Sequence, residues 1–255
     1  MSMRLTDAAI AAAFEKHGAR YGGDRIIGSY LACWSDAHDA FENGSGPAFD
    51  RLYVELRSRW QVFRSRKWNP APATRVERIL RGLPPSLRRL RLSDLADAQP
   101  RHLTAVWRAM GAVGVIKRTG DGPSLVALTK FLHFWNPRLF LIADRELVWS
   151  WVFGHRWLAE QVDRTRVALA SRLPRPIADD PLHETEMGRY LAVLAWGARV
   201  MRDNPRVMPE FVGYVRRHAR DAVSARVAEY QAAALEWLLL GLVDQPPAGV
   251  TVDTR

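Results

Sequence analysis

Apolar residues recur along this chain at three- and four-residue intervals, not in alternation. The clearest case runs from about Pro47 to Trp68. There Phe49, Leu52, Tyr53, Leu56, Trp60 and Phe63 fall on one stripe at 100° per residue, which predicts an amphipathic helix. Asp7 is placed to cap a helix through the alanines that follow, and a second helix is expected over Arg25 to Glu42. Asn69-Pro70-Ala71-Pro72 is a break. A short helix from Thr74 to Arg81 stops at Gly82, and Ser93 is a candidate cap for a turn. The next helix runs from Arg101 to Met110, with Gly111 as its C-terminal stop. RTGDGPS, residues 118–124, reads as a turn, and Ser124 to Trp135 as a helix ended by Asn136-Pro137.

LFLIA, residues 139–143, is an apolar connector, extended or coiled. Asp144 then caps a helix through Phe153. Pro174 to Pro181 reads as a loop. Helices resume over Glu186–Asp203 and Pro209–Val243, with a break near Asp221. No alternating strand pattern, internal repeat or low-complexity tract stands out. The expected fold is all-α: a multi-helix globular domain over 1–243, either one body or two lobes meeting near 115–150. A loose tail is expected over 244–255.

Composition narrows the class. A 255-residue chain with 48% apolar residues and ten tryptophans can bury a sizeable core. One cysteine, Cys33, excludes an internal disulfide and a cysteine-rich zinc site. No apolar run reaches membrane-spanning length, the best being LEWLLLGLV, and no signal peptide is evident. A cytoplasmic protein with no membrane partner is expected. Four lysines against 33 arginines, with abundant alanine, suggest a GC-rich, bacterial genome. The net charge of +10 is concentrated: residues 51–120 hold sixteen Lys/Arg and four Asp/Glu. Such a field attracts polyanions, nucleic acid above all; the plainer reading is a solvated arginine-rich surface.

The chemistry-bearing candidates start with Lys130. Leu125, Leu128, Phe131, Leu132, Phe134 and Trp135 surround it on its helix, so the helix should be buried. Desolvation lowers a lysine pKa and yields a nucleophilic amine, which a carboxylate such as Asp144 would orient. Two structural readings stand beside that one. Lys130 extends to water while Asp144 only caps a helix, or the two form an ion pair.

Lys130, His133-Phe134 and Ile142-Ala143-Asp144-Arg145 together resemble the catalytic stretch of helix-hairpin-helix DNA glycosylases. The similarity is greatest to the lysine-bearing 8-oxoguanine glycosylase/AP lyase branch. The resemblance covers about 20 residues and implies a glycosylase-like helical architecture acting on duplex DNA. It makes Lys130 the amine that attacks the sugar C1′ of a flipped nucleotide, and Asp144 the activating carboxylate. In that family a tight glycine hairpin precedes the lysine directly. Here Gly120 and Gly122 lie upstream with SLVALT between, so the hairpin is either rebuilt or absent.

A basic-aromatic set precedes this stretch. Arg57, Arg59, Arg64, Arg66, Lys67, Arg75 and Arg78 are the candidate phosphate contacts, and Trp68 offers a face for base stacking. His133, Trp135 and Trp149 are candidate pocket walls, with core packing as the alternative. Asp36, His38, Asp39 and Glu42, and separately Asp179, Asp180, His183, Glu184 and Glu186, lack a recognised metal-ligand spacing, so no metal is expected. No phosphate-binding loop, dinucleotide fingerprint or nucleophile elbow appears, and no cofactor is expected. The sequence thus favours a DNA-binding, base-excision-like protein active in DNA repair. The alternatives are a non-catalytic nucleic-acid-binding or defence-related helical module, and a helical protein-interaction domain.

Overall fold

The computed structural model describes residues 3–21, 24–63, 71–97, 99–119, 122–143, 156–173, 186–218, 225–242 and 251–252. The fold is all-α. Eleven α-helices are present among these residues: α1 (Asp7–Tyr21), α2 (Asp24–Phe41), α3 (Gly46–Ser58), α4 (Ala73–Arg81), α5 (Pro85–Arg89), α6 (Pro100–Gly114), α7 (Leu125–Trp135), α8 (Arg156–Ala170), α9 (Glu186–Asp203), α10 (Val207–His218) and α11 (Gln231–Gly241). Short 3-10 turns cover Leu92–Leu95 and Ala225–Glu229. None of the described helices is long and apolar enough to cross a membrane.

Three helices form the centre because they are apolar on nearly every side. Ala232 to Gly241 of α11 are all buried, as is most of α9 from Tyr190 to Ala198. In α7, Leu125, Ala127–Thr129 and Phe131–Trp135 are buried, leaving only Val126 and Lys130 partly accessible. One contiguous core runs from Met3 to Leu242. Helix α1 crosses α11 so closely that a Cβ on Gly241 would lie 1.8 Å from the Ala13 carbonyl oxygen; only glycine fits there.

Several local expectations are corrected. Thr6 caps α1 through its hydroxyl, which accepts the Ala9 N–H at 3.2 Å; Asp7 occupies the first turn. Helix α3 ends at Ser58 and does not continue to Trp68. Gln61 adopts φ +50°, which turns the chain, while Trp60 and Phe63 still pack on the core. Asp94, and not Ser93, closes the turn before α6 by accepting the Arg91 N–H at 2.8 Å. Helix α6 passes through Gly111 to Gly114; Gly111 is exposed, and a helix tolerates glycine there at modest cost.

Helix α8 was not foreseen. Its buried stripe of Leu158, Gln161, Val162, Thr165 and Leu169 is interrupted by polar residues. Those residues pair with α9: Trp196 Nε1 donates to Gln161 Oε1 at 3.2 Å, and Arg199 donates to the Thr165 hydroxyl. Two short antiparallel pairs also appear, Arg118–Thr119 with Gly122–Pro123 and Met3–Arg4 with Thr251–Val252. The second engages two residues of the tail expected to be loose.

Candidate functional site

Lys130 projects from α7 toward the turn after α3. Its Nζ donates to the Trp60 carbonyl at 2.7 Å and lies 5.8 Å from the centre of the Trp60 ring. Lys117 reaches the same turn, donating to the Val62 carbonyl at 2.8 Å, and burial lowers its pKa. Carbonyls of an irregular turn have no helix or sheet partner and must find donors elsewhere. Two of the chain's four lysines therefore secure the residues where α3 stops and Gln61 turns.

Behind Trp60 lies an aromatic cluster. Its ring meets Tyr30 edge-on at 4.6 Å and Phe134 at 5.1 Å. Tyr30 in turn packs against Trp34, His133 and Trp237. Buried within this cluster is Glu236, 2% exposed, on the otherwise apolar helix α11. It accepts the Tyr30 hydroxyl at 2.5 Å and the backbone N–H of Ile142 at 2.9 Å.

The Ile142 contact explains why so many polar groups are buried here. Residues Leu139–Ala143 form the connector after α7, are wholly buried, and have no regular structure. A buried irregular backbone must find hydrogen-bond partners elsewhere. Side chains from three helices supply them. His133 Nδ1 lies 2.8 Å from the Phe140 carbonyl, and the Tyr190 hydroxyl donates to the Leu141 carbonyl at 2.6 Å. The Ala143 N–H donates to the Thr129 hydroxyl at 3.0 Å. The C-cap of α7, Asn136, donates to the Leu87 and Leu90 carbonyls at 2.9 and 3.1 Å, fixing α5 against the connector's start.

The protonation states follow from burial. Trp34 Nε1 donates to His133 Nε2 at 3.3 Å, so the proton of this neutral ring sits on Nδ1, where it is donated to Phe140. Desolvation lowers the His133 pKa to about 3, against a smaller opposing effect of the Phe140 bond. Burial, then the Glu236 charge, raises the Tyr190 hydroxyl well above its ordinary range. Cys33 is pushed up to about 12, chiefly by burial, and is no thiolate nucleophile at neutral pH.

The other sequence candidates are placed as follows. Asp144, Arg64, Arg66, Lys67, Trp68 and Trp149 lie outside the described residues. His133 is fully buried and serves the connector. Trp135 is 3% exposed, with Arg88 stacked over its ring at 5.7 Å, at a crevice it shares with Trp34 and Tyr230. Arg59 pairs with Glu55 at 2.9 Å on α3. Arg57, Arg75 and Arg78 are exposed and make no ion pair among the described residues. Of the first acidic-histidine group, Asp36 bonds Arg51, Asp39 accepts from Asn43, and Glu42 bonds Arg88. No cluster of three or more metal-ligating side chains occurs among the described residues.

Glu236, Tyr190 and Thr129 escaped the sequence reading. A signal for Glu236 was present: one carboxylate in AAALEWLLLG, a segment with no polar face to carry it to water. No protein-family model matches this chain, and neither a curated protein nor a solved structure matches it.

Proposed function

We propose that this protein binds nucleic acid, duplex DNA in the first instance, across the basic surface of α3, α4 and α6. One observation carries the reading. Arg57, Arg75, Arg78, Arg89, Arg101 and Arg108 are exposed and without ion pairs among the described residues, whereas Arg51, Arg59, Arg81, Arg88 and Arg91 each engage an acid. Helix α4 packs against both α3 and α6, so much of this set belongs to adjoining elements. Exposed guanidinium groups left uncompensated in one region provide phosphate contacts with a bidentate fork. The test is fluorescence anisotropy on a labelled duplex at low salt. Replacing Arg75 and Arg78 by Gln should weaken binding by roughly tenfold. Absence of binding by the unaltered protein overturns the reading and favours a protein-interaction domain.

A second reading places amine chemistry at Lys130 on the bound DNA, as the resemblance to base-excision glycosylases and AP lyases implies. Two observations support it: Lys130 is a half-buried amine on an apolar helix, and Thr129, the residue before it, holds the connector that leads to Asp144. The chemistry would be attack of the amine on the sugar C1′, with departure of the base and formation of a Schiff base. Borohydride reduction in the presence of a duplex with an abasic site tests it. A covalent adduct absent from Lys130→Ala supports it. DNA binding without an adduct leaves a non-catalytic, cytoplasmic binding module.

A further inference from the structure

A second arginine cluster lies on different elements, where the segment after the Leu92–Leu95 turn meets α8 and α9. Arg172, Arg199 and Arg202 line a crevice there with Asp97, Thr165 and Leu169. Two carboxylates face these three cations, both through Arg202. Arg172 donates to the Asp97 backbone carbonyl at 3.0 Å. Arg202 pairs with the Asp97 carboxylate at 3.4 Å and with Asp203 at 3.5 Å. The Asp97 side chain is 79% exposed, so its charge is well screened.

Arg199 is the central member. It donates to the Thr165 hydroxyl, and that hydroxyl is oriented by its own donation to the Gln161 carbonyl at 2.8 Å. The buried Arg199 Nε–H has no hydrogen-bond partner. A desolvated guanidinium with an unused donor is costly, and native interiors rarely keep one without a use for it. Burial lowers the Arg199 pKa, and Arg202 and then Arg172 add to the effect against the opposing Asp203 charge. The cluster thus holds mutual repulsion that an anion would relieve.

We propose that this crevice binds a phosphate dianion, carried by a small phosphomonoester whose apolar part rests on Leu169, Ala168 and Ala96. Three guanidinium groups against Asp97, which lines the crevice, and Asp203, which pairs with Arg202, leave a net positive charge that favours an anion. The fork geometry of arginine suits tetrahedral oxyanions. The site shares no residue with the proposed nucleic-acid surface and stands independently of it.

The test is calorimetric titration of the intact protein with inorganic phosphate and with phenyl phosphate, at ionic strength matched with chloride. Saturable binding of both is expected. It should weaken about tenfold or more in Arg172→Gln/Arg202→Gln, whose exposed positions leave the core untouched, and in Arg199→Lys, which keeps the charge and loses the fork. The second pKa of a phosphomonoester is about 6, so phenyl phosphate should bind more tightly at about pH 8 than at about pH 5, while sulfate, dianionic at both, should not change. Displacement of phenyl phosphate by a short duplex, whose phosphodiesters are monoanions, would overturn the phosphomonoester assignment; no displacement supports it. No saturable binding of either anion, or equal binding by the double variant, overturns the proposal.

Discussion

The Glu236 carboxylate accepts the backbone N–H of Ile142 at 2.9 Å, joining the almost wholly buried helix α11 to a buried connector with no regular structure. The same carboxylate accepts the Tyr30 hydroxyl. Glutamine has one acceptor oxygen where glutamate has two, so Glu236→Gln sets an amide NH2 against one of these donors. A buried unsatisfied donor costs about 1–3 kcal/mol. Urea unfolding of E236Q should show a loss in that range. A stability unchanged within error would mean that the connector is held by its other partners alone.

The lysine-secured turn gives a second prediction. Lys130→Met keeps the length of the side chain and removes the donor to the Trp60 carbonyl, and Lys117→Met does the same at Val62. Each should cost about 1.5–3 kcal/mol, the range for a hydrogen bond to a charged group. Both lysines hold one turn, so the double variant should depart from additivity. Additive losses would show that the two contacts act separately.

Acid sensitivity follows from two histidines. Burial lowers both His133 and His17 to about 3, and the His17 ring stacks on Trp237 at 4.7 Å. In the unfolded chain each titrates near 6.5. Between those values the unfolded state takes up a proton that the folded state refuses. Their destabilising effect is therefore absent above about pH 6.5 and grows as pH falls toward 3. Each histidine should contribute roughly 2 kcal/mol of lost stability by about pH 5. Stability measured against pH for wild type and His17→Phe checks this: the variant should lose less on acidification. Parallel curves would contradict a neutral, buried His17.

Close packing of α1 on α11 gives the fourth prediction. Gly241→Ala places a methyl group 1.8 Å from the Ala13 backbone oxygen, which no side-chain rotation relieves. The helices must separate, at a cost of about 1–3 kcal/mol for an overpacked core, visible as a lower midpoint of thermal unfolding.

Much of the helical scaffold was legible because burial on one face imposes a 3.6-residue period, as in α3 and α4. The same period misplaced the end of α3. Trp60 and Phe63 continue the apolar rhythm because the turn at Gln61 returns them to the same core. Helix α8 was obscured for the opposite reason: Gln161 and Thr165 sit on its buried stripe and accept hydrogen bonds from Trp196 and Arg199, partners that lie more than thirty residues away. Lys130 was visible as a lone cation on an apolar helix, but its partner at Trp60 depends on where α3 stops. The supports of the connector come from α7, α9 and α11, and no local pattern joins residues so distant in sequence.

The most direct test of nucleic-acid binding by the α3–α4–α6 surface is the salt dependence of duplex affinity, for wild type and for a variant with Arg57, Arg75 and Arg78 changed to Gln. Each phosphate contact contributes about 0.9 to the slope of log affinity against log salt. Binding through this surface predicts a steep wild-type slope that falls by roughly 2 to 3 in the variant. An unchanged slope, or no duplex binding at low salt, would contradict it.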